Sequence, residues 1–95
     1  TRMANIIAGR ASSDVVRLYL EGKEGMGVME IDGKYYGATD NYIYFPRGSN
    51  IVITAMPLEG YEFDNWAEDG SGTNAVLNVT MDEDKHIKAV FSLIV

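Results

Sequence analysis

Residues 75–91 read AVLNVTMDEDKHIKAVF, two alternating runs either side of an acidic turn, and their period decides the fold class. In the first run Leu77, Val79 and Met81 fall on one side, and in the second Ile87, Ala89 and Phe91 do. A repeat of two belongs to strands with one face buried, because successive side chains point to opposite faces of a sheet. Working outward, NIVITAM (50–56) sets Ile51, Ile53 and Ala55 against Val52 and Met56. An apolar run with both sides occupied is that of a central strand covered on both faces.

The residues between these runs carry turn chemistry. Asp32-Gly33, between MGVMEI and KYYG, accepts positive φ at both central positions of a type I′ hairpin turn. Pro46 with Gly48, and Pro57 with Gly60, mark two further tight turns. Turn signals every eight to twelve residues or so are those of a β-rich domain. Residues 12–22, SSDVVRLYLEG, also fit a helix capped by Ser12 or Ser13 with Gly22 beyond its end. The β-branched and aromatic content favours a strand with Val16, Leu18 and Leu20 facing in.

Ninety-five residues make one domain, which buries roughly 60 to 65% of the surface its unfolded chain exposes, so the core is one thin layer. With 46% hydrophobic, 11% aromatic and 23% charged residues the chain has the composition of a folded unit. Its net charge is −6, and no basic block supplies the Lys/Arg cluster that phosphates require, so nucleic acid is not an expected partner. There is no cysteine, which removes disulfide and thiol chemistry without fixing the compartment. No run of 18 apolar residues exists to span a bilayer as a helix, and TRMANIIAGR lacks the apolar stretch of a signal peptide, so membrane insertion is not expected.

GYEFDNW (60–66) places Tyr61, Phe63 and Trp66 among polar and turn residues. In so small a chain rings of about 150 to 250 Å² are the largest contributors to a core. The expected core is therefore Ile53, Phe63, Trp66, Leu77, Val79, Ile87 and Phe91. Tyr35 and Tyr36 are adjacent, so one faces out, while Tyr42 and Tyr44 share a face opposite Ile43 and Phe45. An exposed stripe of these four tyrosines would be an interaction surface for glycan or protein; cross-strand pairing within the sheet is the simpler reading.

Catalytic chemistry finds little footing. His86 is the single histidine, without the N/S/O ligand set zinc needs, and is read as a structural strand residue. Asp82, Glu83, Asp84 and the separate Asp69 are oxygen donors, but the spacing of a calcium loop is absent, and a solvated acidic turn is expected. Ser71, in DGSGT, lacks a nucleophile-elbow arrangement, and the glycines of GKEGMG lack the Lys-Ser/Thr of a phosphate loop. No cofactor and no enzymatic activity are expected.

From Ile51 onward the chain resembles the divergent internalin-type B-repeat, a bacterial and archaeal repeat of secreted and cell-surface proteins. The resemblance rests on Thr54, Ala55, Pro57, Gly60, Tyr61, Phe63, Trp66, Thr80, Met81, Asp82, Asp84, Lys85, Ala89 and Phe91. It is strongest over residues 50–91 and extends back to Gly33. The resemblance implies a mainly β single domain, an antiparallel or mixed sheet that is β-grasp-like or a small sandwich. It further implies a non-enzymatic stalk, spacer or adhesin segment, extracellular or on the cell surface in mature form, whose partners are further copies or neighbouring surface domains.

Residues 14–95 are read as that β-rich domain and residues 1–13 as an extension or a donated strand. The apolar MANIIAG has two readings: it pairs within the chain's own sheet, or it completes the sheet of a neighbouring copy by strand addition, with Ile6, Ile7 and Val16 as donated residues.

Overall fold

The computed structural model describes residues 14–38 and 41–94. Eight strands follow in chain order: β1 (Val15–Glu21), β2 (Gly27–Ile31), β3 (Lys34–Tyr36), β4 (Asn41–Pro46), β5 (Ser49–Pro57), β6 (Tyr61–Glu68), β7 (Val76–Met81) and β8 (Lys85–Leu93). They form two four-stranded sheets, with order β4-β1-β8-β6 in sheet I and β3-β2-β5-β7 in sheet II. No helix occurs among the described residues. The ambiguous segment after Ser13 is strand β1, and its burial alternates with Val16, Leu18 and Leu20 inward.

One core lies between the sheets. Sheet I contributes Val16, Leu18, Leu20, Trp66, Ile87, Ala89 and Phe91, and sheet II contributes Met29, Ile31, Ile51, Ile53, Ala55 and Met81. This is a small β-sandwich, with the apolar face of each sheet turned inward; the outer face of sheet II also leaves Val52, Met56 and Val76 exposed. Of the core expected from sequence, Ile53, Trp66, Ile87 and Phe91 are buried, whereas Phe63, Leu77 and Val79 are half-buried and pack against its margin. Leu77 and Val79 are on β7, which among the described residues is an edge strand with a sheet neighbour on one side alone.

The expectation for β5 is corrected. It is central within its sheet, between β2 and β7, but its outer face is open, with Val52 47% and Met56 38% exposed. A two-layer sandwich covers each sheet once, so lateral position and double coverage are separate properties.

The turns divide into two kinds. Asp32 and Gly33, with φ of 54° and 86°, close the β2–β3 hairpin within sheet II, where Gly33 N–H also donates to Glu30 Oε2 at 2.6 Å. The turns after β4, β5 and β7 instead carry the chain across the core from one sheet to the other. The chain alternates sheets at every step from β4 to β8. As a result β1 and β8, far apart in sequence, lie parallel side by side, as parallel strands do when a long crossover separates them.

Phe63 and Trp66 are three apart, which in a regular strand puts them on opposite faces. A register shift between Phe63 and Asn65 against β8 inserts one extra residue and returns both rings to the same side. Their centroids are 5.1 Å apart, Phe63 meets Phe91 edge-on at 6.0 Å, and Trp66 Nε1–H donates to Asn74 O at 2.8 Å. Phe91 closes the cluster over Gly27, where an added Cβ would come within 2.6 Å of the ring.

Candidate interaction face

The outer face of sheet I gathers the polar and aromatic side chains that the inner face excludes. Because β1 has Val16, Leu18 and Leu20 inward, Arg17, Tyr19 and Glu21 point out. On β4 the inward residues are Ile43 and Phe45, which leaves Tyr42 and Tyr44 outward. Register completes the arrangement, since Tyr19 stands opposite Tyr42 on one side and His86 on the other, and Arg17 stands opposite Tyr44.

A row of three rings results. Tyr19 and Tyr42 stack at 4.8 Å with planes 20° apart, and Tyr19 meets His86 at 4.8 Å with a 37° tilt. The Arg17 guanidinium carbon is 5.4 Å from the centre of the Tyr42 ring, within cation–π range. His86 Nε2 is 2.7 Å from Glu21 Oε1, while its main-chain N–H donates to Asp69 Oδ2 at 2.8 Å. Asp84 Oδ1 accepts from Arg17 N–H at 2.8 Å, and Asp82 Oδ1 is 3.5 Å from Lys85 Nζ. Arg17, Tyr19, Tyr42, Asp69, Asp84, Lys85 and His86 enclose an open depression of about 320 Å³.

Chemically this is a self-contacting surface. Sugar recognition by stacking uses an exposed ring face, and here the facing sides of Tyr19 and Tyr42 are turned on each other. His86 is tied to two carboxylates and a ring. Asp69 and Asp84 each hold a strand N–H, and no group of three or more His, Asp or Glu among the described residues is arranged to hold a metal ion.

The four tyrosines singled out from sequence do not form one stripe. Tyr42 and Tyr44 are on sheet I, but Tyr35 and Tyr36 are on β3 at the edge of sheet II, because the chain changes sheets between β3 and β4. Tyr35 points outward beside Glu30 and is 66% exposed, whereas Tyr36, paired with Met29, packs against the core. Tyr44 is 63% exposed and makes no ring pair among the described residues. Sequence reasoning missed Arg17, Tyr19 and Glu21 as partners of Tyr42 and His86. The alternation within β1 carried that signal, but only the strand order shows which neighbours it meets.

Val16 is 2% exposed and opposite Phe45 within its own sheet, so in this chain it packs in the core between the sheets. Ile6 and Ile7 lie outside the described residues.

The fold and this face define a class: a small sandwich module, all strand among the described residues, whose conspicuous surface is a sheet face. The chain matches the family model of the divergent InlB B-repeat domain over residues 29–95, and it belongs to that family. Comparison with curated proteins and with solved structures returns no match. The family is one of surface-associated repeat modules and is generally non-enzymatic. The match begins at Met29, two residues into β2, so β1 precedes it entirely.

Proposed function

We propose that this chain is a non-enzymatic structural or adhesive module of an extracellular or cell-surface protein, joining neighbouring modules or further copies by strand pairing. The observation that carries this reading is the family match over residues 29–95. The sandwich supports it, since the polar groups of its most decorated face are engaged with one another and not aimed at a substrate. Fibre formation through the N-terminal residues Ile6 and Ile7 belongs to the same reading. Antibody labelling of intact cells, beside light scattering of the purified chain over a concentration series, tests it. Surface labelling and concentration-dependent assembly are expected; a strictly internal, strictly monomeric protein overturns it.

A second reading, an accessory domain that binds glycan or protein, is favoured by the exposure of Tyr44 and Tyr35. Titration with polysaccharides, followed by tyrosine fluorescence, should then saturate, and the response should vanish in Tyr44→Ala.

A further inference from the structure

The strand that precedes the family-matched segment is the one that holds sheet I together. β1 lies between β4 and β8, and among the described residues β4 has no other strand partner. Residues 29–95 thus contain both walls of a channel but not the strand that fills it. Without β1, β4 would lose its sheet neighbour and the core would lose three side chains that are at most 2% exposed: Val16, Leu18 and Leu20.

The walls also carry dedicated receivers for the occupant's main chain. At its start, Arg47 N–H donates to Asp14 O at 2.7 Å. One step along, Asp84 Oδ1 takes Arg17 N–H. At the far end Asn41 Nδ2 donates to Leu20 O at 3.0 Å. Side-chain pockets at alternate positions with main-chain anchors at both ends are the features by which a sheet accepts an added strand.

We propose that the channel between β4 and β8 is a strand-acceptor site, and that in assembly its occupant is β1 of a second copy of this chain. The occupant's chemistry is read from the strand seated there: branched apolar residues at three alternate positions, with polar and aromatic residues between them. A second copy supplies the same contacts as the chain's own β1, so exchange leaves the contacts unchanged and differs only in the path of the connection. That connection, residues 22–26, is the sole covalent link between β1 and the rest of the described fold, and Gly25 within it has φ of 82°. This deepens the assembly reading above and rests on it for its biological setting, not for its chemistry.

The experiment removes residues 22–25 from the full chain. Met26 alone then spans roughly 7 Å, too short to cross the ~10 Å between packed sheets, so β1 can reach a channel only in another copy. Dimers or longer species with a strand-dominated circular dichroism spectrum are expected by light scattering, and adding Leu18→Asp and Leu20→Asp should abolish them. A folded monomer, or assembly that survives the two aspartates, overturns the proposal. Should the shortened chain be unfolded, a peptide of residues 14–22 in excess should restore the spectrum, and failure to do so also overturns it. Either failure leaves the surface-module reading standing, since cell labelling tests that separately.

Discussion

β1 and β7 are strands of seven and six residues with similar apolar alternation, and they lead very different lives. β7 lies inside the family match and β1 outside it, yet β1 is central and β7 is an edge. Leu18 and Leu20 are fully buried, while Leu77 and Val79, at the equivalent phase of β7, are half-buried. Alternation reports which face of a strand is apolar; how deeply that face is buried depends on the strands beside it. A segment's weight in the core is therefore set by sheet order, which in this chain is made by contacts between distant segments.

The largest expected effect comes where the two regions are joined. Trp66 packs in the core of sheet I and donates its indole N–H to Asn74 O in the loop entering β7. Trp66→Ala should cost about 3 to 5 kcal/mol in urea unfolding, from lost area, a cavity and an unpaired carbonyl. A cost below about 1 kcal/mol would mean that Trp66 is not a shared anchor of the two layers.

The direct contrast is Leu18→Ala against Leu77→Ala. The first empties a fully enclosed site and should cost about 2 to 5 kcal/mol. The second trims a side chain already partly in water, and about 1 kcal/mol is expected, in keeping with roughly 25 cal/mol per Å² of area lost. Equal costs would refute the difference between centre and edge.

Much of this was legible from residues alone. The alternating runs give the strands, Asp32-Gly33 gives the hairpin, and the ordered matches from Thr54 to Phe91 give the family. Three things were not. The turns at Pro46-Gly48, Pro57-Gly60 and Asp82–Asp84 look like hairpin turns, and whether such a turn folds a strand back beside its predecessor or over the core depends on what the strand meets. The extra residue between Phe63 and Asn65 is invisible to a pattern of two, yet without it Phe63 and Trp66 would part company. The row Tyr42, Tyr19, His86 draws one ring from each of three distant strands, so no local window contains it.

A smaller effect tests that row. If Tyr19 and Tyr42 contribute as a stacked pair, a double-mutant cycle with Leu at each position should give a coupling of about 0.5 to 1.5 kcal/mol. The same cycle on Tyr44 and Tyr35, which lie on different sheets, should give none within error. Coupling in the second pair would imply that the outer faces communicate through the core.

The smallest effect expected is that of calcium, for which the acidic turn after β7 looks suited in sequence. The carboxylates near it are already committed to donors on β1 and β8. Asp84 holds the N–H of Arg17, Asp69 holds that of His86, and Asp82 faces Lys85. A calcium site takes six to eight oxygens converging on one point, several of them carboxylate, whereas these three meet separate donors, one on β1 and two on β8. Binding would have to pull Asp84 from β1, loosening the central strand of sheet I while tightening the turn. The melting temperature should therefore not rise in millimolar Ca²⁺. Since a ligand that binds only the native state must raise stability, a rise of several degrees, reversed by chelator, would show that the turn after β7 takes up metal at the expense of its hold on β1.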